Sequence, residues 1–492
     1  LFSDGSSPRK GLAFMAAEAW SLNPGYEKHG RRGVLIFLGL VTLMAVIAYA
    51  HKAAEDRSAF VRWRYQVLQL MENGRNIYDR EMYPNPPVMP IALYPLMALP
   101  PLIGAVAFFL IKVAMAVKCG QIVARMVREK NWPMSQWCLL AIGLMSLRPI
   151  LSDLQHGNIN ILIMFMVVMA LDAWSRGRDW LGGAALGLAI TCKVTPALFL
   201  PYFFYKRSWK MLVATGVSIF FCMFVVPVVV LGPDLASQCL GSWWHRIISP
   251  YVSGGVVGDL EINQSMVGVF NRLMVLDETP GRYGSTLKLN IVNWDPKFVA
   301  RLLKIFSLAW LGVMFLLCRS KTTRRDDPRL LGEFSLVVLT MLFVSERSWK
   351  HHYVTLLLPV TYLAYRLFRP DIRQRDKWVI GSALGLAMFL IATTSSEIGG
   401  WFANGKGHKV AQFYGMYFWA GVVLYVTTAW RVVVEGKWPS SSPQFLPDAA
   451  VSHSETKTNS VRNVVGRLFP TPHFRVGQPE KSLESEKFDL TS

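Results

Sequence analysis

Carboxylates are scarce in this chain: 32 Asp and Glu stand against 52 Lys and Arg in 492 residues, a formal net charge of +20. Such an excess invites a nucleic-acid reading. The basic residues, however, sit in short loops beside apolar runs, where membrane orientation and anionic headgroups account for them better. Cysteine is also sparse. Cys119, Cys138, Cys192, Cys222, Cys239 and Cys318 show no metal-ligand spacing, and of these Cys239 alone falls in a long polar connection, so no disulfide framework is expected. A Ser-His-Asp order, a glycine-rich phosphate loop and a Cys/His cluster are all missing, which argues against a soluble hydrolase, a nucleotide enzyme or a metal centre. No internal repeat is evident, unlike the paired halves of many secondary transporters. The first apolar run follows a long polar leader, so no cleavable signal peptide is expected.

Apolar residues are abundant, at 52% of the chain with a mean hydropathy of +0.31. Apolar windows cover 34–50, 102–124, 137–150, 159–174, 211–231, 298–318, 330–344, 353–368, 378–394 and 414–430. Each comes close to or meets the roughly 20 residues that a bilayer demands. The connections fall into two sets. One is basic: Arg125, Arg128 and Lys130; Arg176 and Arg178; Lys206, Arg207 and Lys210; 319–329; and 366–377. The other carries Asp56, Asp153, Gln155, His156, Asn263, Gln264, His351 and His352. The positive-inside rule assigns the first set to the cytoplasm and the second to the outside.

The stretch 181–205 is about one span long, yet both of its flanks are basic. Alternation survives if it is a broken hairpin, interrupted near Lys193 and Pro196, where proline removes a backbone donor. The expected fold is an all-α polytopic membrane protein with about 10–12 transmembrane segments. Residues 1–32 read as a disordered cytoplasmic leader, 33–434 as the membrane domain with long extracytoplasmic loops at 51–101 and 232–297, and 435–492 as a disordered cytoplasmic tail.

Several polar residues stand out at the outer face. Asp56 precedes an amphipathic segment with Phe60, Trp63, Val67, Leu70 and Met71 on one helical face. It reads either as that helix's N-cap or as a general base at headgroup level. Tyr78 lies in a rigid return through Pro84, Pro86 and Pro87. Gln155, His156, Asn158 and Asn160 surround the start of a span, where free amides make a phosphate cradle, although the asparagines serve equally as caps or interhelical glue. Lys193 sits within an apolar hairpin, to bind an anion or to snorkel. His351 and His352 are adjacent and diverge by about 100° on a helix, a poor bidentate metal site but a plausible phosphate or proton donor. Asn263, Gln264 and Arg272 add donors and acceptors from the second long loop.

In their order and spacing, these residues resemble the GT-C superfamily of polytopic glycosyltransferases, in particular glycosyltransferase family 87. Asp56, Gly74 with Tyr78, the 83–87 proline turn, 157–160, Lys193 with Pro196, Asn263–Ser265 with Arg272, and Ser348–Trp349 with His351–His352 carry the likeness. The resemblance implies a GT-C fold and an inverting, metal-independent transfer without cofactor. The donor would be a polyprenyl-phosphate sugar, mannose as first guess, and the acceptor an extracytoplasmic lipid or glycan. It implies Asp56 as catalytic base and Lys193, His351 and His352 at the donor phosphate. Tyr78, Gln155, His156, Asn158, Asn160, Asn263, Gln264 and Arg272 would line the substrate site. Arg57 after the aspartate, Asn158, Glu346 and Lys350 depart from the family's usual residues, so the sugar and acceptor are not carried over. The expected location is the cell (inner) membrane, with both termini cytoplasmic and the site extracytoplasmic. The alternative is a transporter or flippase of lipid-linked sugars.

Overall fold

The computed structural model describes residues 24–79, 83–129, 132–252, 262–275, 290–320, 322, 324–403 and 405–437. No strand occurs among them, and the chain is a helical membrane protein. Helix α1 (Pro24–Ala54) opens with proline at its first position, where a missing N–H costs nothing. It therefore starts inside the leader expected to be unstructured. The amphipathic α2 (Ala59–Asn73) and the short apolar α3 (Val88–Met97) occupy the first long loop. Then follow α4 (Pro101–Val127), α5 (Gln136–His156), α6 (Asn160–Ser175) and α7 (Asp179–Cys192).

After α7 the backbone becomes extended at Lys193, makes a 3₁₀ turn over Thr195–Leu198 and re-forms as α8 (Phe199–Tyr205). Trp174, just before α7, donates its indole N–H to the hydroxyl of Ser208, just after α8, at 3.0 Å. Both ends of the pair therefore lie together, and 181–205 is the broken hairpin that the charge pattern required. Next comes α9 (Trp209–Leu231), which packs directly on α7. A Cβ at Gly183 would fall 2.4 Å from the Ala214 side chain, and one at Gly187 2.5 Å from that of Ser218, so two small faces permit the close approach.

The second long loop contains α10 (Pro233–Trp243) and α11 (Met266–Met274), while 253–261 and 276–289 lie outside the described residues. The remaining helices, apart from the single turn Ser396–Gly399, are α12 (Pro296–Leu317), α13 (Arg329–Val344), α14 (Leu357–Leu367), α15 (Gln374–Thr393), α16 (Gly407–Phe413) and α17 (Met416–Lys437). Most of the expected tail, 438–492, lies outside the described residues.

Six helices (α4, α5, α9, α12, α15 and α17) are long and apolar enough to cross a bilayer, and four shorter apolar segments accompany them among the described residues. Helix α13 is buried from Leu330 to Phe343 on every side and forms the centre of the bundle. Outer helices leave large apolar side chains uncovered, among them Val229, Leu308, Leu316 and Phe389, as a lipid-facing surface does.

The two ends of the bundle differ. At one, Arg125 and Arg176 pair with Asp172, Arg325 with Asp179 and Lys206 with Glu333. Arg366 joins Glu129 to Glu435, and Arg431 pairs with Asp376. The basic connections of the sequence thus meet at a single end. The uncommon polar residues gather at the other.

Candidate functional site

The polar end is built on the turn between α5 and α6. Gly157 ends α5 with φ +70°, and a Cβ there would stand 2.8 Å from both the Ser58 and the Tyr49 hydroxyls. Glycine therefore serves twice, for the left-handed backbone and for the close approach of the first loop. That approach is sealed by Lys52, which donates to the Gln155 carbonyl at 2.9 Å, and by Gln155, which donates to the Ala45 carbonyl at 2.9 Å.

Asp56 is exposed on this approach. The cap of α2 is Ser58, whose hydroxyl accepts from the Val61 amide at 3.3 Å, so the expectation that Asp56 caps this helix is corrected. Asp56 instead terminates α1. Its amide donates to the Ala53 carbonyl at 3.1 Å and the Arg57 amide to the Lys52 carbonyl at 3.0 Å, the paired bonds of a Schellman turn. The position requires φ +56°, where glycine is usual and another residue costs about 1 kcal/mol. Aspartate is among the few residues besides glycine that enter this region.

Below the turn lies a buried polar chain. Lys112 and Asp153 are both 0% exposed, with the ammonium 3.3 Å from the carboxylate. Lys112 also donates to the Asp153 and Asn158 carbonyls at 2.9 and 3.0 Å. The Asp153 carboxylate accepts from the Asn160 side-chain amide at 2.9 Å and the Ile161 backbone amide at 3.3 Å. The Asn160 oxygen accepts from the Lys193 ammonium at 2.6 Å. One N-terminal amide of α6, that of Ile161, is therefore already taken by Asp153, which leaves fewer amides at this terminus for an anion. Asn158 accepts from the Ile159 amide at 2.7 Å and makes a hydrogen bond with the His351 ring at 3.1 Å. Lys112 escaped the sequence reading because its surroundings average as apolar; a charge in the middle of a span was the available signal.

Lys193 and Asn160 line a partly open cavity. Thr195, Ser345, Ser348, His352 and Thr355 join them at its polar part, while Ile163, Met164, Val167, Val338, Met341 and Leu342 form apolar wall. Of the two adjacent histidines, His352 lines this cavity. His351 stacks on His156 at 4.3 Å between ring centroids and lies outside the lining. Both are in the 3₁₀ turn Lys350–Leu356 that precedes α14. Burial, followed by the nearby Lys193 charge, holds the His352 imidazole well below its usual value, and burial followed by His352 does the same for His351. Both rings are therefore neutral near pH 7.

The remaining residues brace this arrangement. Asn263 donates to the Glu346 carbonyl and accepts from the Ser348 amide, at 2.8 and 3.0 Å. The Gln264 amide donates to the Ser348 carbonyl at 2.6 Å, and its side chain reaches the Gln412 carbonyl at 2.7 Å. Arg272 donates to the Phe413 carbonyl at 3.0 Å. Tyr78 is buried in the proline turn, its hydroxyl 2.7 Å from the Asn85 carbonyl, and does not line the cavity. Among the described residues no group of three or more His, Cys, Asp or Glu side chains is placed to hold a metal.

The model of glycosyltransferase family 87 matches residues 83–345. A polyprenol-phosphate-mannose-dependent alpha-(1-2)-phosphatidylinositol mannoside mannosyltransferase of Mycolicibacterium smegmatis is 27% identical over 53% of this chain and 54% of its own length. Its namesake in Mycobacterium tuberculosis is 28% identical over 43% of this chain and 42% of its own. A phosphatidylinositol pentamannoside mannosyltransferase of M. smegmatis, also named as polyprenol-phosphate-mannose-dependent, is 26% identical over 57% and 60%. The chain thus spans about half the length of the curated relatives it matches. No solved structure matches. These names are those of transferases and do not favour the transporter alternative.

Proposed function

Because the chain belongs to glycosyltransferase family 87, we propose that it transfers a sugar, mannose in the first instance, from a polyprenyl-phosphate donor to a lipid-linked acceptor of the phosphatidylinositol mannoside kind. The observation that carries this reading is the cavity, in which a lysine and an imidazole stand over apolar walls. Its chemistry suits an amphiphile with one anionic head and a hydrocarbon chain, which is what a polyprenyl phosphate is. The basic end of the bundle faces the cytoplasm in this proposal, and the site faces outward.

In the reaction, the acceptor hydroxyl attacks the anomeric carbon from the face opposite the phosphate. The new C–O bond forms as the bond from the anomeric carbon to the phosphate oxygen breaks, and Asp56 takes the hydroxyl proton. Lys193 offsets the charge gathering on the departing polyprenyl phosphate, and neutral His352 hydrogen-bonds to it. Asn160 lines the pocket, while Asn158, His156 and His351 stand together behind it and Gln155 ties the first loop to the α5–α6 turn. Asn263, Gln264 and Arg272 act by bracing the Ser345–Ser348 segment against α16 and α17, with Tyr78 fixing the first loop.

The turn at Asp56 supplies a clean test. Asp56→Asn removes the base, whereas Asp56→Gly removes it and also relaxes the left-handed backbone. Mannose transfer in nanodiscs, from polyprenyl-phosphate mannose to phosphatidylinositol mannosides, should fall by at least about 10²-fold in both. Thermal stability should be unchanged or higher in the glycine variant. Full turnover by Asp56→Gly sinks the base assignment and leaves Asp56 as a helix terminator.

A further inference from the structure

We infer that the buried Lys112–Asp153 pair is a positioning device for Lys193: through Asn160 it fixes the ammonium at the cavity wall while keeping every carboxylate out of contact with it. The inference rests on the anion-binding reading of that cavity. The chain of bonds has a fixed polarity. Lys112 can only donate and the Asp153 carboxylate can only accept. The Asn160 amide nitrogen must therefore turn toward Asp153, at 2.9 Å, and its oxygen must turn toward Lys193, at 2.6 Å. The amide has no second orientation that satisfies both neighbours. Lys193 is held by this neutral oxygen and, among the described residues, forms no ion pair.

A carboxylate at position 160 would have held the ammonium more tightly, yet would have neutralised it and competed with an incoming phosphate. An asparagine alone would be free to flip. Asparagine backed by a buried carboxylate avoids both faults, and Lys112 supplies the countercharge that lets Asp153 be buried without a cation from the cavity. Lys112 further ties the Asp153 and Asn158 carbonyls, so the turn that presents Asn158 and Asn160 is set by the same ammonium. Neither Lys112 nor Asp153 lines the cavity, so neither touches the ligand itself.

The competing account is that the pair only staples α4 to the α5–α6 turn. Binding of undecaprenyl phosphate and of uncharged undecaprenol to the full chain in nanodiscs separates the two. Asn160→Ala leaves the ion pair whole and should weaken undecaprenyl phosphate by about tenfold, the value of one charge-assisted hydrogen bond, with undecaprenol unaffected. Asp153→Asn should do likewise, and the double variant should bind no worse than the weaker single, because the two act in one chain. Equal loss for both lipids, additive losses, or phosphate binding by Asn160→Ala within about twofold of wild type overturns the inference. Should Asp153→Asn not fold, the Asn160→Ala result decides alone. A wild-type chain that binds neither lipid removes the anion-site reading and this inference with it. Wild-type binding that Asn160→Ala leaves intact removes only the inference.

Discussion

Leaving aside the buried Lys112–Asp153 pair and the exposed Arg57–Glu55 pair at the polar end, the two ends of the bundle hold their cations in opposite ways. At the basic end, long side chains are neutralised where they stand. Arg366 lies between Glu129 and Glu435 at 2.8 and 2.9 Å, and Lys206 meets Glu333 at 2.7 Å with Tyr202 and Ser320 completing the carboxylate's bonds. At the polar end, Lys52 and Lys193 are held by a backbone carbonyl and a side-chain amide oxygen. Neither forms an ion pair among the described residues. A paired cation has spent its field on the protein, whereas one held by neutral oxygen retains it for a ligand. In the proposed function, the first arrangement closes the fold and the second equips a site.

The sharpest way to break this contrast is to exchange the expected symptoms. Lys206→Met should leave the fully buried Glu333 carboxylate without its closest cation and lower stability by about 3–5 kcal/mol, without altering donor affinity in the protein that survives. Thermal melting beside a donor-binding titration tests both halves. A normal melting curve would show that Arg329, 4.0 Å from the same carboxylate, is sufficient on its own. Lys193→Met should do the reverse. Donor binding should weaken by about tenfold or more, with melting nearly unchanged, since the lysine's lost partner is a neutral amide. A large drop in melting temperature with unaltered affinity would make Lys193 a structural cation and erase the contrast.

That the molecule has two such ends was legible in the sequence, for a physical reason. Charge alternation is a one-dimensional record of which end each loop occupies, and the paired basic flanks of 181–205 forced a hairpin that Lys193 and Pro196 then located. What sequence could not supply was partner choice. Asp56 and Ser58 are both good N-caps two residues apart, and only the start of α2 at Ala59 decides between them. Asn263, Gln264 and Arg272 have the chemistry of ligand contacts but serve backbone, Asn263 on the irregular 345–348 segment and the other two on the last carbonyls of α16. Lys112 was averaged away inside its span, and Asp153 gave no sign that its partner lay on another helix.

The smallest expected effect bears on how the polar end holds its charge. His352 is depressed below its ordinary value by burial first and by Lys193 second, and His351 by burial and then by His352. A histidine lowered in this way stays neutral above the lowered pKa, so between about pH 6 and 8 neither ring should gain a proton. Polyprenyl-phosphate mannose is a phosphodiester and keeps one negative charge over the same range, unlike a monoester, whose second proton leaves near pH 6. Affinity for this donor should accordingly be flat from about pH 7 to 6, with Lys193 as the charge that attracts it and His352 as an uncharged hydrogen-bond partner. An ordinary histidine in the same place would become cationic below about pH 6.5, and donor binding would then tighten as the pH fell. Binding curves at three pH values separate the cases, and tightening toward pH 6 that disappears in His352→Gln would move part of the site's charge from Lys193 to the imidazole.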